Sequence, residues 1–388
     1  MQSIYLDNGA TSFPKAPGVG EAMARYINEI GANVNRGTYK QASEAAMTVL
    51  DTRTALATLF SFGGGEDHVL FTPGATAGLN LLLQGYLHEG DHVIVSSLEH
   101  NAVMRPLVAL AKRGVSFSRI PADENGLTDA RDILPLFQPN TRLVLLSHAS
   151  NVCGALFPLE ETAAICAERG VPLAVDAAQT AGHYPIDFDA LHLAALCVPG
   201  HKGLLGPQGV GALLLEKRFA KALAPIVTGG TGSASDSELQ PDYMPDRFES
   251  GTQNLPGIFG LQSALAFVAA RGVEALRAHE MALTKRMLGG LQALPLRVVG
   301  PTALESRVGV ISIDMPMDNA TAAYRLESEY GVMTRCGLHC APNAHKTLHT
   351  FPQGTVRLSL GYATSEADVS AAIEALGAIC ATAGQGRI

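Results

Sequence analysis

Between residues 68 and 215 short apolar runs recur with a regular beat: HVLF (68–71), DHVIVS (91–96), VSFSRI (115–120), RLVLLS (142–147), PLAVD (172–176), LAALCV (193–198) and GVGALLL (209–215). Amphipathic stretches of helical period separate several of them, TAGLNLLLQGYL (76–87), NAVMRPLVALAKRG (101–114) and LEETAAICAERG (159–170). Strands alternating with helices of this length predict βαβ units and a mainly parallel sheet covered on both faces. Ligands of such sheets bind at the carboxyl ends of the strands. The flanks read differently. Residues 17–60 hold two helical patterns after a short extended start, and 228–256 are rich in Gly, Ser, Asp and Pro. A structureless stretch that long inside a compact protein is usually functional or partly disordered. Two more helical patterns run to about 293; then VGVISID (308–314), AAYRLESEYG (322–331), VMTR (332–335), TVRLSL (355–360) and a last helix from Ser365 predict a smaller α+β unit. Ser365 and Asp368 have the spacing of a capping box.

At 388 residues the chain is long enough for two or three domains of about 150 residues. Charged residues are only 16%, against roughly 25% on average, which leaves ample apolar surface for a large core. The net charge of −8 argues against nucleic acid as a partner. No run of eighteen apolar residues predicts a membrane span, and the start lacks signal-peptide character, so a cytoplasmic protein is expected. The cysteines at 153, 166, 197 and 380 read as buried small residues of a reducing compartment; Cys336 and Cys340 have flanks that do not look like core. Walker, HExxH, GxSxG and GxGxxG motifs are absent.

Three features carry chemistry. Lys202, in CVPGHKGLLGPQG, sits on a loop fed by an apolar strand, where desolvation turns a lysine into a nucleophilic amine. Asp176 ends the apolar run PLAV, and a buried acid at a strand end needs a cationic partner such as a protonated pyridine nitrogen. FTPGATAGLN (71–80) is a strand, a glycine turn and a helix start, which suits a phosphate dianion. A Schiff-base lysine, an acid for the pyridinium nitrogen and a phosphate cradle are what pyridoxal phosphate (PLP) requires.

With YLDNGAT, TPGATAGLN, SLEHNAV, LLSHASNVCG, AVDAAQT, PGHKGLLGPQGVG, RFESGTQN, RCGLHCA and VRLSLGY in that order, the whole chain resembles the class V aminotransferase family of fold type I PLP enzymes. Within it the chain is most similar to group-II cysteine desulfurases and selenocysteine lyases. The resemblance implies an α/β fold: a large PLP-binding domain (15–255) with a mainly parallel mixed sheet, and a small α+β domain (1–14 with 256–388) carrying the Cys340 loop and Arg357. Lys202 would hold the cofactor as a Schiff base, Asp176 would pair with its ring nitrogen, Gln179 with its ring oxygen, and His100 would stack on its face. Ala75, Thr76 and His201 would bind the phosphate, and Thr252 would reach the phosphate of a second subunit in a homodimer. Asn151 and Arg357 would hold the substrate carboxylate. Cys340 would take sulfur from L-cysteine, or selenium from L-selenocysteine, releasing L-alanine and passing the chalcogen to an acceptor protein, in pathways such as iron–sulfur cluster assembly.

Three positions depart from the family pattern: Pro199 in place of a serine, Asn35 in place of a histidine and Cys336 in place of a threonine. The thiolate is the reactive form of cysteine, so Cys340 needs a lowered pKa or a proton acceptor, and His339, His345 and His349 are close in sequence. The same loop admits another reading. Cys336, His339, Cys340, His345 and His349 could ligate zinc and make the loop structural. A PLP aminotransferase, epimerase or kynureninase-like lyase would not need Cys340 at all.

Overall fold

The computed structural model describes residues 3–34 and 37–383; Asn35 lies outside them. In chain order the elements of the first half are β1 (Ile4–Tyr5), α1 (Val19–Arg25), α2 (Lys40–Leu59), β2 (Val69–Thr72), α3 (Ala75–Tyr86), β3 (His92–Ser96), α4 (Asn101–Ala111), β4 (Ser116–Ile120), β5 (Thr141–Ser147), α5 (Leu159–Arg169), β6 (Leu173–Asp176), β7 (Ala195–Pro199), β8 (Gly211–Leu215) and α6 (Lys217–Ala222). The second half continues with α7 (Leu255–Arg271), α8 (Val273–Leu291), β9 (Arg297–Val299), β10 (Val310–Asp314), α9 (Asn319–Tyr330), β11 (Val332–Met333), β12 (Arg335–Gly337), α10 (Pro342–Thr347), β13 (Thr355–Ser359) and α11 (Glu366–Ala383).

The seven apolar runs are the seven strands of one sheet, ordered β2-β8-β7-β6-β5-β3-β4, with only β8 antiparallel to its neighbours. Their side chains alternate between two cores, as a period of two requires. Ile94, Val144, Leu146 and Val175 face a core with Leu56 of α2, Cys166 of α5 and Ile258 of α7. Val93, Val95, Leu143 and Leu145 face the opposite core with Leu82 of α3, Leu107 of α4 and Phe219 of α6. Asp176 and Pro199 are the last residues of β6 and β7, so both strands deliver their following loops to one edge of the sheet.

The second sheet is antiparallel, β12-β13-β10-β9, and its core includes Leu283 of α8, Leu326 of α9 and Leu376 of α11. The chain start joins this region through β1, which pairs in parallel with β11. α7 packs instead on α1 and α2, and its Leu255, Ile258 and Leu261 sit in the large-sheet core. The capping box at α11 forms with both reciprocal bonds, Ser365 N to Asp368 Oδ2 at 2.8 Å and Asp368 N to Ser365 Oγ at 3.1 Å. Residues 223–254 contain no helix or strand, as their composition predicts; Tyr243 donates to Ser233 (2.6 Å), and Arg247 to the Leu223 carbonyl (2.7 Å). Among the described residues no single helix is long and apolar enough to cross a membrane.

Glu280 of α8 faces His183, in the loop after β6, across 3.1 Å and accepts the Gly309 N–H at 2.7 Å. Burial alone would depress the His183 imidazole; the Glu280 carboxylate outweighs it and raises the pKa. Burial would raise Glu280; the His183 charge and the Gly309 N–H outweigh that and lower it. A raised histidine stabilises fully below its ordinary 6.5 and loses that contribution as pH rises through its folded value. A lowered glutamate stabilises fully above its ordinary 4.5 and loses it as pH falls through its folded value. The pair is therefore strongest between 4.5 and 6.5. The gap in melting temperature between wild type and Glu280→Gln should narrow as pH climbs above that window; a constant gap would contradict the assignment.

Candidate active site

Lys202, Asp176, Gln179, His100, Ala75, Thr76, His201, Thr252, Asn151, Arg357 and Cys340 all line one cavity of about 990 Å³ at the carboxyl ends of the large-sheet strands. Lys202 lies in the turn after β7. Its neighbour's carbonyl, His201 O, accepts Ser12 N (2.9 Å) and Lys15 Nζ (2.9 Å), which clamps the turn onto the N-terminal segment. Behind it the loops after β6 and β7 touch so closely that a Cβ on Gly182 would stand 2.3 Å from the Gly203 carbonyl, which only glycine permits. Burial lowers the Lys202 pKa to about 8, partly opposed by Asp176. The amine is therefore still mostly protonated near neutral pH, but far more of it is free than in an ordinary lysine.

Asp176 is 5% exposed, and burial raises its pKa against the opposing Ala178 N–H and the Lys202 charge. Its Oδ1 accepts Ala178 N at 2.9 Å. His100 caps α4: its Nδ1 accepts the Ala102 N–H at 3.0 Å, which puts the proton of the neutral ring on Nε2. Burial and then the Lys202 charge lower its pKa to about 4, so the ring is uncharged. Gln179 is buried and spends its amide N–H on the Gly9 carbonyl at 3.1 Å. α3 starts after Gly74, whose φ of 152° suits glycine, and no side chain caps it, so the first N–H groups, those of Ala75 and Thr76, have no partner within the helix. His201 Nδ1 is buried without a partner on the same cavity, and burial holds its pKa near 4.

Thr252 is exposed at the rim, on a loop fixed from both sides. Asn254 caps α7 through Gly257 N (3.1 Å) and donates to Gly209 O (2.9 Å). Glu249 and Arg53 form an ion pair at 2.6 Å, with side chains 4% and 6% exposed, and Glu249 also accepts Phe71 N at 2.7 Å. This pair ties the Thr252 loop to β2, the strand that feeds the α3 cradle. Glu249→Ala leaves an uncompensated buried cation and should cost about 3–5 kcal/mol in denaturant unfolding. A loss below about 1 kcal/mol, the range of a surface pair, would contradict that reading.

Cys340 is exposed to the cavity from a constrained loop: His339 and Cys340 both have positive φ, 46° and 58°. Their carbonyls are held from the large sheet, His339 O by Asn151 Nδ2 and Cys340 O by Asn101 N, each at 2.7 Å. Asn151 thus grips the loop through the amide expected to meet substrate. Arg357 is 2% exposed; its Nη1 donates to Asn151 O (3.1 Å), its Nη2 to Asp7 (2.8 Å), and its Nε has no partner.

Two of the expected proton acceptors for Cys340, His339 and His345, are corrected by the structure. His339 is buried with Nε2 on Thr355 (3.1 Å), and burial and the Arg357 charge hold its pKa far below the ordinary value. His345 is buried against Thr350 at 2.7 Å with its pKa near 4, and both rings are too weakly basic to take a thiol proton at neutral pH. The zinc reading fails as well. Arg335 pairs with Arg357 across β12 and β13 and both line the cavity, so Cys336, one residue on, leaves the opposite face. Among the described residues no three His, Cys, Asp or Glu side chains gather to hold a metal.

Four contributors escaped the sequence reading. Glu99 is buried and fixes the ends of β3 and β5 through Ser96 Oγ and Ser147 Oγ, both 2.7 Å, setting the loop that carries His100. Lys15 grips the Lys202 turn. Arg335 lines the cavity beside Arg357, and Asp7 joins the two. Asp7 and Arg335 stand within the quoted YLDNGAT and RCGLHCA, but nothing local to either segment announces their meeting.

This site lies on the α/β fold of a PLP enzyme, and the chain belongs to the class V aminotransferase family, whose model matches residues 4–372. It is 34% identical over 347 residues to a cysteine desulfurase of Klebsiella pneumoniae strain 342, covering 87% of this chain and 84% of the relative. The apo structure of a cysteine desulfurase from Thermococcus onnurineus NA1 superimposes with a TM-score of 0.91 at 30% identity, covering 99% of this chain and 95% of that one. An Escherichia coli cysteine desulfurase in an S-sulfonic acid form does so with 0.85 at 27% identity, covering 96% and 94%. The cofactor of the family is PLP. The residues present fit it: a buried acid, a largely desolvated amine, an uncapped helix start and the orphaned His201 Nδ1 converge on one cavity.

Proposed function

We propose that this protein is a cysteine desulfurase that converts L-cysteine to L-alanine and retains the sulfur on Cys340 as a persulfide. The observation that carries this reading is Cys340 on the same cavity as Lys202, Asp176 and Arg357. Lys202 would attach PLP, Asp176 would face its ring nitrogen, Gln179 its ring oxygen and His100 its face, and Ala75, Thr76 and His201 would hold its phosphate. Bound there, PLP supplies the electron sink that loosens bonds at the substrate's α and β carbons. Arg357 offers its unpartnered Nε edge to the substrate carboxylate, with Asn151 beside it. The Cys340 thiolate attacks the substrate sulfur; an S–S bond forms as the Cβ–S bond breaks, and the carbon takes up a proton to give alanine. No co-reactant is needed, because cysteine plus a thiol equals alanine plus a persulfide. With His339 and His345 too weakly basic to assist, the thiol proton leaves to solvent, to which Cys340 is open.

Thr252, exposed at the rim, suits contact with the phosphate bound by a second copy, so we place the working unit as a homodimer; the persulfide then passes to an acceptor protein. Six free thiols, two of them exposed, suit the cytoplasm. The test is alanine release by the PLP-loaded protein from L-cysteine and L-selenocysteine side by side. Turnover of cysteine supports the reading. Reaction with selenocysteine alone would replace it with a selenocysteine lyase, and alanine from neither would overturn both.

A further inference from the structure

A single carboxylate stands behind the two arginines that face the cavity. Asp7 Oδ1 lies 2.8 Å from Arg357 Nη2, and its Oδ2 lies 3.9 Å from Arg335 Nη1. Among the described residues no other carboxylate comes within 4.0 Å of either guanidinium. Asp7 does not itself line the cavity, and its main chain is fixed. Its backbone bridges to Ser359, and its carbonyl accepts Ala10 N at 3.0 Å. Lys202 and Asp176 offset each other at the cofactor end. That leaves two cations and one anion at the substrate end, a surplus of one positive charge where one carboxylate is to be held.

We infer that Asp7 sets substrate specificity: by offsetting one arginine it fits the site to amino acids with a single carboxylate and an uncharged β-substituent, and disfavours those with a second anionic group. The inference rests on the amino-acid substrate class proposed above. Without Asp7 two arginines face the substrate uncompensated, and a second negative charge gains a partner instead of meeting a neutralised one.

The experiment uses holoenzyme and two competitive inhibitors of L-cysteine turnover: L-aspartate, with a carboxylate on the β-carbon, and neutral L-serine. In Asp7→Asn the affinity for aspartate relative to serine should rise by roughly tenfold, the order expected for one partly screened charge. Asp7→Glu should return the ratio toward wild type. If both inhibitors shift equally in Asp7→Asn, Asp7 only supports Arg357 and the proposal is overturned. Should Asp7→Asn not fold, Arg335→Gln leaves Asp7 to Arg357 alone and should move the ratio the opposite way; an unchanged ratio there overturns the proposal too. If wild type fails to turn over L-cysteine, the desulfurase reading falls separately, and inhibitor binding read from the cofactor's absorbance still decides the role of Asp7.

Discussion

Lys202→Ala should lose covalent attachment of PLP and, with it, turnover. In wild type, reduction with borohydride should fix the cofactor to Lys202, so that it survives unfolding and appears in the peptide containing that residue. In the variant no cofactor should remain after unfolding, and activity should fall by roughly 10²–10⁴-fold or more, the range for loss of a positioned proton-transfer group alone. The environment explains why this lysine and not another. It is set between a buried acid and two arginines, and burial brings its pKa to about 8. Loading of apo-protein should accordingly quicken as pH rises toward that value, because the free amine is the attacking form. Lys15, with a pKa near 8 from burial as well, is committed through hydrogen bonds to Thr11, Ser12 and the His201 carbonyl. Attachment that survives in Lys202→Ala would remove the central residue of the site.

Cys340→Ala should cut alanine release from L-cysteine by roughly 1,000-fold or more, as removal of a nucleophile does. Cofactor attachment at Lys202 should be untouched, since Cys340 reaches the cavity from a different loop. Cys336→Ala should be silent, because its side chain leaves the face of the sheet opposite Arg335. Full activity in Cys340→Ala would mean that the reaction needs no thiol, as in other PLP transferases and lyases.

Much of the large sheet was legible because it depends on local pattern. The central runs are apolar on both faces, which a strand buried between helix layers must be, while the edge run VSFSRI mixes serine and arginine with its apolar residues; Asp176 stands out as the one acid closing such a run. The lysine turn and the α3 cradle were legible for the same reason: glycines and a strand-to-helix transition leave a local signature. VMTR, read as one strand, divides at Thr334 into β11, paired with β1, and β12, paired with β13. Nothing in four residues shows that the chain changes sheets there. His339 and His345 look like bases beside a thiol in sequence, but their surroundings come from afar: Thr355 on β13 and Thr350 after α10 engage their buried rings. The Asp7–Arg357, Glu249–Arg53 and Glu280–His183 pairs bring together residues far apart in the chain, and charge partners at that separation have no period to betray them.

Mass spectrometry of the PLP-loaded protein after one turnover with L-cysteine, before any thiol is added, tests the account most directly. Fragmentation of the peptide that carries both Cys336 and Cys340 should place one extra sulfur atom on Cys340, matched by an equal amount of alanine, and none on Cys336. Alanine formed while Cys340 stays unmodified, or sulfur found on another cysteine, would contradict it.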